Sequence, residues 1–248
     1  MNCIVGIDIG TTSTIGILIS LPDKVLATAT RPVTFFAPHP GWAEENPSQW
    51  WENVCEILPE LMASAGIDKS DICGVGVTGM LPAVVLLDRK NHLLRPSIQQ
   101  SDGRCGEEVR QLAREIPEAE FIKKAGNGIN QQLVAAKLRW IEKNEPQVFS
   151  CIDTVFGSYD YINWRLTNEK AVEQNWALEA GFMDLSNLEL SDELIALGHI
   201  KPTVVPRKIG SHEVLGTISD TAAAETGLPS GIPEVWGAAD HIASGYAA

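Results

Sequence analysis

The chain has 248 residues, with 32 acidic against 19 basic side chains and a formal net charge of −13. This excess of negative charge argues against non-specific binding to nucleic acid or to anionic membranes, since both depend on Lys and Arg. No segment reaches the roughly 18 uninterrupted apolar residues of a membrane helix, and Asp8 falls where a signal peptide would need apolar residues, so a cytoplasmic location is predicted. The five cysteines form no CxxC pair, which predicts neither a disulfide framework nor a zinc site.

The N-terminal third of the chain combines short strands with one long helix. Residues 3–9, 15–20 and 24–35 are predicted as three strands of an antiparallel meander, because turn-forming residues separate them. Asn46 and Pro47 are typical of a helix start and Gly66 of a helix end, and apolar residues recur between them at helical spacing. Residues 72–77 and 83–88 are predicted as two buried strands.

The rest of the chain mixes helices and strands without a repeat or a long linker. Helices are predicted over residues 106–116, 134–144, 159–166 and 221–226. A final apolar strand leads to Asp240, where another helix begins and continues towards Ala248. These features predict one α/β domain over residues 1–248, with a mixed sheet flanked by helices.

Two aspartates each follow a short apolar run. Asp8 precedes the turn of Gly10, Thr11 and Thr12, and Asp240 follows the glycine and alanines of residues 237–239. A carboxylate at a strand end can hold a hydrated metal ion while nearby amides and hydroxyls bind phosphate oxygens, and a second carboxylate can accept a proton from an attacking alcohol. The pair therefore indicates a phosphotransferase. The structural alternatives are a turn-capping role for Asp8 and a helix N-cap for Asp240.

Polar and apolar residues near other strand ends are candidates for substrate contacts. Gln100 and Asp102 belong to a polar run that could supply donors and acceptors to a polyol, although Asp102 could instead pair with Arg104. Met80 and Leu81 follow the strand that ends near Gly79, and they either contact substrate or pack in the core.

Seven short motifs occur in a fixed order along the chain. They are GIDIGTTS at 6–13, PGWAEENP at 40–47, VTG at 77–79, SDGRC at 101–105, AKLRW at 136–140, YINWRLT at 161–167 and GAAD at 237–240. In this order the chain resembles the FGGY family of carbohydrate kinases. The resemblance covers essentially the whole chain but only the N-terminal domain of that family, so it implies an ATP-binding C-terminal domain beyond residue 248.

The resemblance implies a ribonuclease-H-like fold, the ATPase core shared with actin and hexokinase, and a kinase that uses ATP and Mg²⁺ to phosphorylate a small sugar. It implies that Asp240 is the catalytic base and that Asp8 organises the magnesium ion, largely through water. The residues implied to face the phosphates are Gly10, Thr11 and Thr12, and those implied or proposed to line the sugar site are Met80, Leu81, Gln100, Asp102 and Trp176.

Three departures from the family pattern leave the sugar open. Ile15 stands where many relatives carry Lys or Arg, residues 80–82 replace the Gln-Met-His of xylulokinases, and Gln100 replaces a tryptophan. The expected substrate is a ketose or polyol of pentulose size, related to that of xylulokinases. A kinase for glycerol or erythritol, and a non-catalytic nucleotide switch on the same core, remain alternatives, and a homodimer is also left open.

Overall fold

The computed structural model describes residues 2–247, with only the backbone described for residues 246 and 247. Met1 and Ala248 lie outside the described residues, and so does the end of the predicted final helix. The strands in this range are β1 (Cys3–Ile9), β2 (Ser13–Ser20), β3 (Lys24–Pro32), β4 (Phe35–Phe36), β5 (Glu44–Glu45), β6 (Ile72–Gly79), β7 (Val85–Leu87), β8 (Ser97–Ile98), β9 (Thr154–Phe156), β10 (Val172–Glu173), β11 (Met183–Asp184), β12 (Glu189–Leu190), β13 (Lys208–Ile209), β14 (Val214–Thr217) and β15 (Pro233–Ala239).

The helices connect and cover these strands. The α-helices in the described range are α1 (Pro47–Ala65), α2 (Gly106–Glu115), α3 (Glu118–Ala125), α4 (Val134–Asn144), α5 (Pro146–Ser150), α6 (Ser158–Thr167), α7 (Gln174–Glu179), α8 (Asp192–Ala196), α9 (Asp220–Thr226) and α10 (Asp240–Ala247), and two short 3₁₀ helices lie at Lys69–Asp71 and Pro202–Val204. Among the described helices, none is both long and apolar enough to cross a bilayer.

Six strands form the main sheet in the spatial order β14-β15-β6-β1-β2-β3. Strands β1, β2 and β3 form the predicted antiparallel meander, while β6 pairs in parallel with β1 on one side and with β15 on the other. The predicted mixed sheet flanked by helices is therefore confirmed. Because β1, β6 and β15 run in the same direction, their C-terminal ends meet at one edge of the sheet.

One face of this sheet is covered by α1 and α6. Val5, Ile7 and Ile9 of β1 alternate towards that face and are fully buried there. The N-cap Asn46 accepts a hydrogen bond from the Ser48 amide at 3.0 Å, and Gly66 ends α1 with φ of 64°, as predicted from their residue types.

The meander is shorter than predicted at its end. The third strand stops at Pro32, which has no N–H group to donate to a further ladder bond, and Phe35–Phe36 pair instead with Glu44–Glu45 in a small separate sheet. The short helices α3, α5, α7 and α8 were not predicted, because each has fewer turns than a periodic pattern needs to be visible.

A cluster of buried carboxylates lies against β15. The Trp236 indole donates to Asp160 Oδ1 at 3.0 Å, and the Tyr159 hydroxyl donates to Glu173 Oε2 at 2.8 Å. Neither carboxylate oxygen of Glu234 has a hydrogen-bond partner among the described residues. Burial raises the pKa of Asp160 to about 7, and burial together with the nearby Asp160 raises the pKa of Glu234 to about 8.

We expect Glu234→Gln to make the folded protein less sensitive to pH. Glu234 binds its proton up to about pH 8 in the folded state and only up to its ordinary value in the unfolded state, so the wild type loses stability as pH rises between these values. Glutamine has no proton to lose. The melting temperature of the variant should therefore rise relative to that of the wild type from pH 5 to pH 8. A difference that stays constant over this range would contradict the raised pKa of Glu234 in the folded protein.

Candidate functional site

The site is created by the register of three parallel strands. Ile9 of β1 lies opposite Gly79 of β6, and Gly79 lies opposite Ala239 of β15. Asp8 therefore lies one residue before this level and Asp240 one residue after it. Two aspartates separated by most of the chain are brought to the same edge of one sheet.

Asp8 points to the face of the sheet opposite α1. Its carboxylate is half-buried, and Oδ1 has no hydrogen-bond partner among the described residues. Burial raises the pKa of the Asp8 carboxyl, and the negative charge of Asp240 raises it further. The strand register that brings both aspartates to one sheet edge accounts for this second contribution.

The residues around Asp8 suit a hydrated divalent cation. A buried carboxylate oxygen without a donor, whose pKa a second carboxylate raises, is an arrangement that a cation stabilises. No group of three or more His, Cys, Asp or Glu side chains gathers in the described part of the chain, so these residues offer no closed metal cage. Mg²⁺ commonly binds through one or two carboxylates, with water and phosphate oxygens completing its shell.

The turn between β1 and β2 lies directly beside Asp8. The Gly10 amide donates to the carbonyl of Ser13 at 3.1 Å, and the Val33 amide donates to the carbonyl of Thr12 at 3.0 Å. A Cβ atom on Gly10 would lie 3.0 Å from the Ser13 carbonyl oxygen, so the turn is tight at that residue. Thr11 is half-buried and Thr12 is exposed, so their surfaces remain accessible next to the carboxylate.

A bulge in β15 aims Asp240. Trp236 pairs with Val77 and Ala239 with Gly79, so two residues of β15 stand opposite Thr78 alone. The Thr78 hydroxyl donates to the carbonyl of Ala238 at 2.5 Å and fixes the bulge. Only glycine fits at position 237, because a Cβ atom there would lie 2.1 Å from the Val77 carbonyl oxygen.

Asp240 is the first residue of helix α10. The sequence analysis gave a helix N-cap as the structural alternative for this residue, and the helix does begin here. Its Oδ1 accepts the amide N–H of His241 at 2.6 Å, while 46% of the side-chain surface remains exposed. The His241 Nδ1 atom lies 3.4 Å from the same oxygen. The carboxylate is thus held in one orientation and is still open to a substrate.

A cavity of about 210 Å³ lies over this face of the sheet, between Asp8 and α10. Glycines of three adjacent strands leave this space open. Ile15 lines the cavity and is 41% exposed. The full lining is Gly6, Ile7, Asp8, Ile15, Ile17, Gly76, Val77, Thr78, Gly237, Ala238 and Ala243.

Four of the five residues proposed for the sugar site occupy two turns, and the fifth, Trp176, lies in α7. Met80 is buried, its amide donates to the Ile9 carbonyl at 3.0 Å, and its own carbonyl accepts the Ser158 hydroxyl at 2.6 Å. Leu81 is half-buried and precedes the cis peptide bond to Pro82. This turn follows β6 and therefore begins at the same sheet edge as Asp8.

Gln100 lies at a second cavity, of about 460 Å³. Its Oε1 atom is buried and has no hydrogen-bond partner among the described residues. The exposed side chains of Asn130, Gln131 and Gln132 line the same cavity. Sequence reasoning missed these three amides, although the run of polar residues before α4 could have indicated them.

Asp102 is fully buried and its two oxygens are engaged. They accept the Ala43 amide at 2.6 Å, the Arg104 amide at 2.9 Å and two guanidinium N–H groups of Arg104 at 2.8 and 2.9 Å. Arg104 also pairs with Glu44 at 2.7 Å and lies over the ring of Trp42, 3.9 Å from its centroid. The structural pairing that the sequence left open is present, and direct contact between Asp102 and sugar stays a prediction.

Trp176 is also fully buried. Its indole N–H donates to the Ala83 carbonyl at 2.9 Å, and its ring meets that of Phe182 edge-on. In this arrangement Trp176 supports the turn that follows Met80, and its contact with sugar stays a prediction.

Comparison with known proteins decides the family. Residues 3–246 match the model of the FGGY family of carbohydrate kinases, N-terminal domain. The chain belongs to the FGGY family. The structure is similar to that of a xylulose kinase from Rhodospirillum rubrum, with a TM-score of 0.96 and 57% identity over 98% of this chain and 51% of that one. The predicted ribonuclease-H-like α/β fold of the actin and hexokinase ATPase core is thereby confirmed.

Curated relatives include several FGGY kinases. The xylulose kinase of Escherichia coli (strain K12) is 30% identical over 239 residues, which are 96% of this chain and 48% of that protein. A glycerol kinase of Citrifermentans bemidjiense is 31% identical over 233 residues, which are 91% of this chain and 47% of that protein. The chain thus spans about half the length of the curated relatives that it matches.

We expect Asp102→Asn to destabilise the fold, because it leaves the buried Arg104 guanidinium without its bidentate partner. Breaking a buried ion pair typically costs about 3 to 5 kcal/mol of the free energy of unfolding. The control is Gln100→Ala, which removes an amide that accepts no hydrogen bond at Oε1 and should change stability by less than about 1 kcal/mol. Urea denaturation measures both, and equal stability of the two variants would contradict the structural role of Asp102.

Proposed function

We propose that this chain is the sugar-binding half of an ATP-dependent carbohydrate kinase, which transfers the γ-phosphate of ATP to a hydroxyl of a ketose or polyol. The observation that carries the proposal is the placement of Asp8 and Asp240 at the C-terminal ends of β1 and β15, the two strands that flank β6, where the charge of Asp240 raises the pKa of Asp8. Membership of a family of carbohydrate kinases supports it.

Asp240 is the proposed catalytic base. As the sugar oxygen attacks the γ-phosphorus, its proton passes to the Asp240 carboxylate and the bond from phosphorus to the leaving ADP oxygen breaks. The His241 amide holds one carboxylate oxygen at 2.6 Å, which fixes the direction in which the base faces. The Gly237 bulge supports this orientation because it sets where the strand ends.

Asp8 is the proposed anchor for magnesium, through water. A magnesium ion bound there would neutralise negative charge on the phosphates and on the transferred group. Asp8 contributes a carboxylate whose buried oxygen has no other partner among the described residues. Gly10, Thr11 and Thr12 are proposed to bind the phosphate oxygens from the adjacent turn. Because Ile15 brings no positive charge to the cavity, the metal ion would carry more of this neutralisation.

The amide side chains around Gln100 support a polyol substrate. Carboxamides both donate and accept hydrogen bonds, as neighbouring hydroxyl groups of a sugar require. Met80 and Leu81 are proposed to form an apolar wall of the same site, with Asp102 and Trp176 behind it. The names of the relatives favour xylulose, and the 31% identity to a glycerol kinase keeps glycerol as a second candidate.

The remaining partners are also proposals. The matched relatives are about twice as long as this chain, which supports a second, ATP-binding domain in the complete protein. The open cavity beside Asp8 would face that domain across the cleft. ATP as a substrate suits a cytoplasmic enzyme, and a homodimer stays a prediction.

We expect a panel of sugars to identify the substrate by its effect on the melting temperature of this chain. A ligand at 100 times its dissociation constant stabilises the folded state by about 2.7 kcal/mol. D-xylulose, L-xylulose, glycerol and erythritol should differ, with a pentulose giving the largest shift. A larger shift with glycerol would favour the glycerol kinase alternative, and the absence of a shift with any polyol would favour the nucleotide switch.

We expect Asp240→Asn to abolish phosphoryl transfer in the complete protein and to leave sugar binding nearly unchanged. The amide keeps the shape of the side chain but cannot accept the proton, and loss of a general base typically lowers the rate about 10² to 10⁴ times. A coupled ADP assay measures the rate, and calorimetry measures the sugar affinity.

The matched control for this experiment is Asp192→Asn, which alters an exposed aspartate that also begins a helix. It should leave both quantities unchanged. Sugar-dependent ADP release by the Asp240 variant at close to the wild-type rate would rule out the proposed base.

A further inference from the structure

Lys137 is a fully buried lysine in helix α4. Its ammonium group donates to the carbonyl of Pro82 at 3.2 Å and to the carbonyl of Gln99 at 2.9 Å. An ammonium group removed from water loses a large hydration energy, which only well-placed acceptors offset. Burial accordingly lowers the pKa of Lys137 to about 8, against the opposing effects of Cys105 and Asp102.

The two acceptors belong to separate turns. Residues 80–83 follow β6, residues 99–102 follow β8, and together they carry Met80, Leu81, Gln100 and Asp102. Each turn also has its own attachments: Ser158 and Trp176 donate to the Met80 and Ala83 carbonyls of the first turn, and the second turn accepts the Ala43 amide at Asp102. Lys137 differs from those side chains because it bonds to both turns at once.

We propose that Lys137 is a positioning residue, whose buried ammonium fixes the turn of residues 80–83 relative to the turn of residues 99–102 and so sets the width of the sugar site. This inference rests on the proposed function, because Lys137 can affect sugar affinity only if the two turns line the sugar site. Lys137 contacts only backbone carbonyls, so it acts through the two turns and touches no reacting atom. A long unbranched stem with several donors at its tip is the side chain that can reach both carbonyls from one helix.

The experiment uses Lys137→Met, which keeps the apolar stem and removes the donors. Hydrogen exchange is followed at the amide of Val84, which directly follows the first turn and reports on it, and at the amides of Gln99 and Asp102 in the second turn. These amides donate to the carbonyls of Ile98, Ala43 and Gln99 respectively. We expect these amides to exchange about tenfold faster, and D-xylulose to bind about tenfold more weakly, as the loss of one or two hydrogen bonds from a charged donor implies. Amides of β1 should exchange as in the wild type.

The matched control is Lys170→Met. Lys170 also joins two segments, with its ammonium donating to Asn91 Oδ1 at 2.7 Å and to Thr154 Oγ1 at 2.9 Å, but it contacts neither turn. This variant should change neither D-xylulose affinity nor exchange at the three reporter amides. If Lys137→Met fails to fold, Lys137→Gln, which keeps an amide donor, is expected to show the same changes to a smaller extent.

The results separate this inference from the proposed function. Faster exchange confined to the two turns, with weaker D-xylulose binding, supports the positioning role. Exchange that is unchanged in the turns, or raised equally in β1, overturns it, and so does wild-type D-xylulose affinity in a folded variant. If the wild-type protein does not bind D-xylulose, the proposed substrate is wrong, and the exchange measurement alone decides whether Lys137 holds the turns.

Discussion

The parallel pairing of β6 with both β1 and β15 is the constraint on which the site depends. Hydrogen bonds between these strands fix Ile9, Gly79 and Ala239 at one level, so the aspartates on either side of that level have little freedom to separate. A shift of one residue in either ladder would turn a carboxylate to the opposite face of the sheet. The buried side chains of β1 on the α1 side oppose such a shift, because it would expose them to water. The hydrophobic core therefore maintains the chemical site indirectly.

A β-bulge and several glycines in these strands then leave space for a ligand beside the aspartates. The bulge at Gly237 and Ala238 brings the β15 backbone so close to Val77 that a side chain at position 237 is excluded, and the Thr78 hydroxyl secures it. Glycines at positions 6 and 76 leave the neighbouring strands without side chains on the same face, which produces the cavity beside Asp8. Buried polar groups without partners, at Asp8 and Gln100, lie beside the two proposed ligand cavities. Around Asp102 and Arg104, by contrast, buried charge is paired and serves the fold.

The sequence was most informative where local residue type determines structure. Asn46 and Gly66 delimit α1 through capping, and Asp8 and Asp240 are recognisable because each follows a short apolar strand. It was least informative where a side chain depends on distant partners. The burial of Asp102 depends on Ala43, which lies 59 residues away, and the role of Lys137 depends on Pro82, which lies 55 residues away. A polar run such as residues 99–102 looks the same whether its side chains face a ligand or an internal guanidinium. Only the tertiary structure distinguishes Gln100, which faces a cavity, from Asp102, which does not.

The central claim is that the strand register brings Asp8 and Asp240 into one electrostatically coupled site. Titration of the Asp8 carboxyl carbon by NMR, in the wild type and in Asp240→Asn, tests it most directly. The account predicts that the pKa of Asp8 in the wild type lies above the ordinary value of 3.8 and falls in the variant, because a neighbouring negative charge has been removed. Part of the elevation should persist in the variant, since burial is its larger cause. An Asp8 carboxyl that titrates at the same pH in both proteins would contradict the account.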